Sequence, residues 1–517
     1  MIRLTIPRIL AAFALLILCL LLLRPLLPVD ETRYLAVAWE MRLSGDPLHL
    51  TRNFAPYAHK PPLLFWLINL VWGLTGVSEI AARLVAPAFG VAVVGATAGL
   101  ARSFWPGERE PAVAAAAMLA GFSLFQLYGS ATMFDTMLSL AVVGGIAALW
   151  RVGYGEQGRA PWAAFGLMLA FGAYAKGPVI LIHLLPPLLL MRFWAPEPPA
   201  LRQAAKGFGL ALAIGLGLMA LWLVPTLLTA DAAFRHELLW SQSAERVAGG
   251  MAHDRPGWFL LALLPVILFP WGWSARFWSG LPKALRGDPA AMLCAIWAVS
   301  GVVLFSLVSS KQAHYLLPEL PALALLAARP MGVGGPGRSL APWLALAAAA
   351  LIAGMVTGIV PAGSSPLAMQ TFPLLGLAAM LAALGLAARR MDLLPGHLLL
   401  GAGATLALHL FLYVAGGFAD YDSRRLAILL SPAGDGQLAV TGMTYNAEVN
   451  FTARYRQPVA TPATAADLVA WAVAHPQGMV FGPVATAPIK TPPEQALSFG
   501  GDMIGIWPAS AALTARE

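Results

Sequence analysis

Charged residues are scarce in this sequence. Only 11% of its 517 residues are charged, while 59% are hydrophobic. Ordinary soluble domains are about 25% charged and about 45–50% apolar. The composition therefore excludes a water-soluble globular protein, and so many apolar side chains also exclude a disordered chain. Because a bilayer span needs about 20 apolar residues, the length allows about a dozen spans and a modest domain outside the membrane.

Cysteine and long basic stretches are scarce as well. Cys19 and Cys294 both lie in apolar runs, so we expect neither a structural disulfide nor a zinc cluster. The formal net charge is +8, but the basic residues stand in ones, twos and threes between apolar runs. That distribution is typical of the loops that set membrane orientation, and it gives no reason to expect nucleic acid as a partner.

Apolar runs longer than the bilayer must fold back on themselves. Residues 112–150 would form a helix of about 58 Å, against a hydrocarbon core of about 30 Å. Polar residues predict breaks at 126–135, at Lys176-Gly177-Pro178 and at 309–312. The sequence thus predicts an all-α polytopic membrane domain over residues 1–416, with an outer loop at 28–79. Its thirteen predicted transmembrane helices lie near residues 9–27, 80–101, 112–128, 132–150, 161–175, 178–194, 207–229, 257–275, 290–308, 314–328, 340–359, 369–388 and 396–416.

Basic residues predict the orientation of this domain. If the N-terminus is cytoplasmic, the cytoplasmic segments hold sixteen lysines and arginines and the opposite loops nine, as the positive-inside rule requires. The apolar stretch 9–23 precedes Arg24-Pro25 without a small-residue cleavage site, so we interpret it as a retained first span. The odd number of spans leaves the C-terminus outside. Residues 417–517 are predicted to form a small soluble α/β domain, with strands at 437–443 and 479–481 and a helix at 464–475.

Most outer polar residues fall into five clusters that this topology places on one membrane face. For any one cluster, anchoring at the headgroup level explains the charges at least as well as a site does. Anchoring does not require carboxylates and cations to alternate on one face, however, and this alternation favours a functional site. The clusters are Asp30-Glu31-Thr32-Arg33-Tyr34, His59-Lys60-Pro61-Pro62, Phe134-Asp135, His253-Asp254-Arg255-Pro256 and Ser309-Ser310-Lys311-Gln312-Ala313-His314-Tyr315, and Lys176 adds a further cation.

Taken in order, these motifs resemble the bacterial aminoarabinose transferase family over residues 1 to about 330. That family consists of integral-membrane glycosyltransferases of the GT-C fold and is related to the protein O-mannosyltransferases. The resemblance implies transfer of a sugar from a polyprenyl phosphate, not from a nucleotide sugar, at the periplasmic face of the bacterial inner membrane. It implies Asp30 as the catalytic carboxylate, and Lys60, Arg255 and Tyr315 as lipid-phosphate ligands. The family's second loop acid matches Asp135.

The chemistry of such a transfer needs these residue types. A carboxylate must take the acceptor's proton, which is worth typically about 10²–10⁴-fold in rate, and Glu31 or Asp135 is the second candidate after Asp30. Donors aimed at the leaving phosphate stabilise the transition state, and Lys176 and Lys311 are further candidates for this role.

One position departs from the family. A glutamate that contributes with the histidine of the fourth motif to a metal site is replaced here by His59. His59 and His253 can also bind substrate or a divalent metal, so metal dependence stays open. The change also leaves open whether aminoarabinose is the donor sugar.

Two other functions remain open. A polyprenyl-linked-sugar flippase or transporter would move the lipid without cleaving its phosphate–sugar bond, although neither midplane charges nor symmetric halves are evident in the sequence. A protein O-mannosyltransferase would use the same outer acid with a Ser or Thr acceptor. The first prediction is a membrane glycosyltransferase acting as a monomer. Its expected partners are the polyprenyl-phosphate donor, a lipid A-type, glycan, lipid or protein acceptor, and membrane lipids.

Overall fold

The structure, a computed structural model, consists of a bundle of membrane helices with a small sheet domain at one end. It describes residues 4–156, 158–238, 255–361, 366–513 and 515. The helices of the bundle and its loops are α1 (Ile6–Leu23), α2 (Asp30–Ser44), α3 (Leu63–Thr75), α4 (Glu79–Phe104), α5 (Glu110–Gly121), α6 (Ser123–Gly129), α7 (Asp135–Gly153), α8 (Ala160–Lys176), α9 (Ile180–Leu189), α10 (Leu201–Thr229), α11 (Ala232–His236), α12 (Phe259–Ile267), α13 (Ala275–Ser279), α14 (Leu281–Gly287), α15 (Pro289–Leu307), α16 (Leu320–Met331), α17 (Ala341–Val356), α18 (Thr371–Arg389) and α19 (Leu393–Val414).

The predicted number of spans is not confirmed. Within the described residues, eight helical segments are long and apolar enough to cross a membrane, or nine if the pair α5 and α6, bent by 66°, is one span. Three predicted spans correspond to the shorter helices α12, α16 and α17, of 9, 12 and 16 residues. Two more predicted spans fall on the single segment Ala160–Leu189.

The predicted break at Lys176-Gly177-Pro178 is nevertheless present inside that segment. Helix α8 ends at Lys176, and Gly177 has a φ of 76°, which a side chain would disfavour. The chain then turns back, so that Ile180 packs tightly on Gly172. A Cβ added at Gly172 would lie 2.6 Å from Cγ1 of Ile180. At the far end, the ring of Trp194 lies against Gly153. Helices α8 and α9 therefore form a hairpin that brings Lys176 to the turn.

The other two predicted breaks are present as well. Helix α6 ends at Gly129 and α7 begins at Asp135, so the predicted break lies directly before Asp135. Helix α15 ends at Leu307, and a 3₁₀ helix, Ala313–Glu319, precedes α16. These breaks carry the polar clusters.

The C-terminal domain is built on a sheet of four strands, β3 (Leu438–Val440), β4 (Met479–Pro483), β5 (Gln495–Phe499) and β6 (Asp502–Pro508). They lie in the order β3-β4-β6-β5, in which β3 and β4 are parallel and the other neighbours are antiparallel. The predicted helix begins one residue later and ends one residue earlier, and Thr464 and Asp467 form its capping box. Two strands agree with the predicted ones, and β5 and β6 were not predicted. A short hairpin, β1 (Thr51–Arg52) with β2 (Ala55–Pro56), lies in the first outer loop. The helices of the domain are α20 (Ser423–Leu430), α21 (Ala465–Ala474) and α22 (Ala509–Ala512).

The domain packs directly on the first outer loop. The indole N–H of Trp39 in α2 donates to the carbonyl of Tyr455 at 2.8 Å. The rings of Trp72 in α3 and Phe451 stack with centroids 5.5 Å apart. The domain therefore covers the helix that begins at Asp30.

Candidate active site

Asp30 opens helix α2 with its side chain 41% exposed. Its Oδ1 accepts a hydrogen bond from the hydroxyl of Tyr34 at 2.9 Å and another from the guanidinium of Arg33. Both donors lie one helical turn further on, because residues three and four apart share a helix face. The ring of Tyr34 is buried against Phe134, with centroids 4.8 Å apart. Asp30 is thus an oriented carboxylate that remains open to a ligand.

Glu31, its neighbour, is in a different environment. Its side chain is buried and forms an ion pair with Arg24. It also accepts from the backbone amides of Thr132, at 2.7 Å, and Leu27, at 3.1 Å. Burial acts to raise the pKa of Glu31, but the charges of Arg24 and Arg83 outweigh it and lower the pKa to about 2. These contacts tie α2 to the end of α1 and to the turn before α7.

Lys60, Asp135 and Lys176 lie together beside Asp30. The ammonium of Lys176 donates to Asp135 Oδ1 at 2.6 Å, and Asp135 is 1% exposed. The ammonium of Lys60 lies 5.8 Å from the ring centroid of Phe134. Burial and the charge of Lys176 lower the pKa of Lys60 to about 8, although Asp30 and Asp135 act to raise it. Four charged groups, two from the first outer loop and one each from α7 and α8, therefore share one electrostatic environment.

The 3₁₀ helix Ala313–Glu319 forms the next wall. The ring centroid of Tyr315 is 4.9 Å from the ammonium of Lys176. His314 stands edge-on to Tyr315, with centroids 4.9 Å apart, and lies 5.1 Å from the ring of Tyr128. This helix therefore adds His314 and Tyr315 to the cluster.

The segments that carry Lys311 and Arg255 are joined by hydrogen bonds to the backbone. The buried ammonium of Lys311 donates to the carbonyl of Arg255 at 2.8 Å, and the amide of Arg255 donates to Ser309 at 3.1 Å. The guanidinium of Arg255 lies over the ring of Phe259, 5.5 Å from its centroid. Lys311 thus anchors the segment that carries Arg255.

His59 lies at the rim of the cluster. Its ring stacks on Tyr57 with centroids 5.2 Å apart, and its Nε2 is 3.2 Å from a carboxylate oxygen of Glu237. His253 lies outside the described residues. Among those the structure does describe, no group of three or more His, Cys, Asp or Glu side chains could hold a metal ion. An imidazole and a carboxylate suit zinc, but two ligands do not complete a site.

Several residues of the cluster had been assigned no role from the sequence. Arg33, Tyr34 and His314 lie inside the quoted motifs, and the three- and four-residue spacing from Asp30 could have indicated the first two. Nothing in the sequence singled out Tyr57 or Glu237, because their positions depend on how the outer loop and α11 come together.

The whole chain is similar in structure to a solved membrane protein. ArnT from Cupriavidus metallidurans, solved in complex with undecaprenyl phosphate, superposes with a TM-score of 0.73 over 98% of both chains, at 19% identity. The family model "dolichyl-phosphate-mannose-protein mannosyltransferase" matches residues 59–242. The chain therefore has the fold of ArnT, which is the GT-C fold. The GT-C prediction is thereby confirmed.

Curated proteins of known name are similar to part of the chain. An undecaprenyl phosphate-alpha-4-amino-4-deoxy-L-arabinose arabinosyl transferase of Pseudomonas paraeruginosa is 29% identical over 57% of the chain and 54% of its own length. The transferase of the same name from Pectobacterium carotovorum is 27% identical over 63% of the chain and 59% of its own length. The matches thus span little more than half the length of these relatives.

Proposed function

We propose that this ArnT-like protein is a membrane glycosyltransferase that moves a sugar from a polyprenyl phosphate to an acceptor of the cell envelope. The observation that carries the proposal is the open carboxylate of Asp30 beside the ammonium groups of Lys60 and Lys176. A base next to fixed cations suits a reaction in which a hydroxyl loses a proton while a phosphate leaves. All groups invoked come from one chain, so we propose that a monomer suffices.

Asp30 acts as the base in this proposal. The acceptor oxygen attacks the anomeric carbon and forms the new glycosidic bond, while the bond from that carbon to the phosphate oxygen breaks. The acceptor proton passes to Asp30, and the bonding electrons leave with the polyprenyl phosphate. Tyr34 and Arg33 hold Asp30 Oδ1 in place, which supplies the orientation that proton transfer needs.

The cations stabilise the leaving phosphate. Lys60, Lys176 and Arg255 supply charge-assisted hydrogen bonds, which are about twice as strong as neutral ones, and Tyr315 supplies a hydroxyl. Losing one preorganised donor costs about 10²–10³ in rate in comparable sites. His59, at the rim, contacts the donor headgroup, and no step of the reaction is assigned to a metal.

Three of the candidates act indirectly. Asp135 holds the ammonium of Lys176 at 2.6 Å, and Lys311 holds the backbone of Arg255. The carboxylate of Glu31 is occupied by its ion pair with Arg24 and by hydrogen bonds from two backbone amides. It therefore stabilises the fold next to Asp30. We therefore assign the base to Asp30 alone.

The decisive experiment replaces Asp30 by Asn, which preserves an oxygen for Tyr34 and Arg33. The matched control is Asp46→Asn, since Asp46 lies in the same outer loop with a side chain 40% exposed, against 41% for Asp30. Purified variants receive a radiolabelled polyprenyl-phosphate sugar and extracted envelope lipids. We expect Asp30→Asn to lose at least about 10²-fold in transfer and Asp46→Asn to stay near wild type. Equal activity of both variants contradicts the proposal.

The acceptor separates two versions of the function. The names of the arabinosyl transferase relatives give an undecaprenyl phosphate donor and no acceptor. We propose a lipid A-type acceptor, whereas the name of the family model at residues 59–242 favours a protein. Mass spectrometry of lipids and proteins from a deletion strain distinguishes the two by which fraction loses one glycosyl mass. The flippase alternative has no support from the named relatives. It would require labelled lipid to cross a vesicle membrane with its phosphate–sugar bond intact.

We also propose that the site faces the periplasm of a bacterial inner membrane, with the N-terminus in the cytoplasm and residues 417–517 outside. The positive-inside distribution of basic residues supports this orientation. A single cysteine introduced at Asp46 should react with an impermeant maleimide added to whole spheroplasts. One introduced at Arg390 should react only after lysis, and the reverse pattern contradicts the orientation.

A further inference from the structure

A cavity of about 650 Å³ lies at the end of the bundle opposite the ion cluster. Helix α19 begins at this cavity with Leu393 and His397, and Tyr413, near its other end, lines a pocket together with Arg24. The 22 residues of α19 correspond to about 33 Å of helix, which is the thickness of a bilayer core. The cavity is therefore separate from the site described above.

The walls of the cavity are both aromatic and basic. Three indole rings line it, those of Trp273, Trp278 and Trp343, together with Arg338 and Arg389. Among the residues that the structure describes, no aspartate or glutamate lines it. Tryptophan is enriched at the headgroup level of membranes, so this composition places the cavity at the membrane–water interface and makes it attractive to an anion.

Three side chains that line the cavity, those of Trp273, Trp278 and His397, form hydrogen bonds within the protein. The indole N–H of Trp273 donates to the carbonyl of Pro265 at 2.9 Å, and that of Trp278 donates to Gly272 at 2.8 Å. His397 beneath them is buried between the hydroxyl of Ser339, at 2.8 Å, and the carbonyl of Leu393, at 2.9 Å. The ring N–H groups of these two tryptophans and the imidazole of His397 thus already have partners within the protein.

The two arginines differ from these side chains. The guanidinium of Arg389 lies 3.9 Å from the centroid of Trp343, which holds the cation against the wall. Both Arg338 and Arg389 are exposed. Within the described part of the chain, no ion pair involves either of them. Arg389 is thus held in place by Trp343, and Arg338 is a second exposed cation of the same cavity.

We propose that this cavity binds an anionic phospholipid, with its phosphate between Arg338 and Arg389 and its acyl chains along the tryptophans. Charge complementarity selects an anionic headgroup, since basic pockets between transmembrane helices are suited to one. The inference does not rest on the glycosyltransferase activity.

Native mass spectrometry of the full chain in detergent tests the proposal. Phosphatidylglycerol and phosphatidylcholine with the same acyl chains are titrated separately, and undecaprenyl phosphate is used as a competitor. We expect preferential retention of one phosphatidylglycerol. At about 1 kcal/mol for each arginine near the surface, Arg338→Ala and Arg389→Ala should each weaken retention roughly fivefold, and the double variant roughly thirtyfold.

The matched control is Arg390→Ala, because Arg390 is equally exposed and adjacent to Arg389 but does not line the cavity. It should retain phosphatidylglycerol like the wild type. Equal retention of both phospholipids, an equal loss in Arg390→Ala, or stronger binding of undecaprenyl phosphate that is lost in the double variant would each overturn the proposal. A thermal unfolding curve of the double variant is the control for folding. We expect it to match the wild type, because Arg338 and Arg389 are both exposed.

Discussion

Exchange of Glu31 for glutamine should damage the fold, whereas exchange of Asp30 for asparagine should damage only the reaction. The two carboxylates are adjacent in sequence, but Glu31 pairs with a buried arginine while Asp30 is 41% exposed. Breaking a buried ion pair from one side leaves the other charge uncompensated, at a cost of about 3–5 kcal/mol. We expect Glu31→Gln to unfold at a markedly lower temperature in detergent than either the wild type or Asp30→Asn.

The pKa of Glu31 gives a second route to the same magnitude. Its lowering from 4.5 to about 2 corresponds to roughly 3 kcal/mol at about 1.4 kcal/mol per pH unit. Because the pKa is lower in the folded state, this stabilisation is complete above about pH 4.5 and is lost as the pH falls from 4.5 towards 2. The gap in unfolding temperature between wild type and Glu31→Gln should therefore be constant from pH 7 to pH 5 and narrow below pH 4.5.

A double variant supplies the control. Replacing both partners, as in Arg24→Met with Glu31→Leu, removes both buried charges and should be less destabilising than Glu31→Gln alone. If Glu31→Gln is as stable as the wild type and loses turnover, while Asp30→Asn retains turnover, the roles assigned to the two acids are reversed and the reasoning from burial is refuted.

Three further predictions follow from the same contacts. Because the pKa of Lys60 is about 8, kcat/KM for the polyprenyl donor should fall as the pH rises through 8, and Lys60→Arg should abolish this fall; a flat wild-type profile contradicts the assignment. Lys176→Met leaves the buried carboxylate of Asp135 uncompensated, so it should destabilise the protein by about 3–5 kcal/mol, and adding Asp135→Asn should recover part of the loss in a thermal unfolding assay. Trp39→Phe removes the 2.8 Å hydrogen bond to Tyr455, which is worth about 0.5–1.5 kcal/mol, and should speed proteolysis of the C-terminal domain; unchanged proteolysis would show that this bond does not secure the domain.

The sequence supported the breaks between helices well. Lysine and polar residues are costly at depth and proline interrupts a helix, so the turns at Lys176-Gly177-Pro178 and before Asp135 were predictable. The number of spans was less so. Helices α12, α16 and α17 are shorter than the apolar runs that contain them, because prolines, 3₁₀ turns and irregular turns take up part of each run. Hydropathy counts apolar residues and does not register these interruptions.

The domain outside the membrane shows a similar limit. The amphipathic period predicted α21 almost to the residue, and the structure adds the capping box of Thr464 and Asp467 at its start. Strands β5 and β6 escaped prediction because their main stabilisation is pairing with each other and with β4. Such pairing between distant segments leaves only a weak local pattern.

What the sequence determined by itself was the membrane character of the chain, the breaks that carry charge, and the set of acids and cations at one end of the bundle. These depend on local composition, since each charge must leave the hydrocarbon wherever the chain finally packs. Only the tertiary structure decided which acid is free. Asp30 and Glu31 are chemically near-equivalent neighbours, and Arg24, which comes earlier in the chain, together with the amide of Thr132, about a hundred residues away, encloses Glu31 and leaves Asp30 open. That choice depends on packing between distant segments, which local composition does not encode.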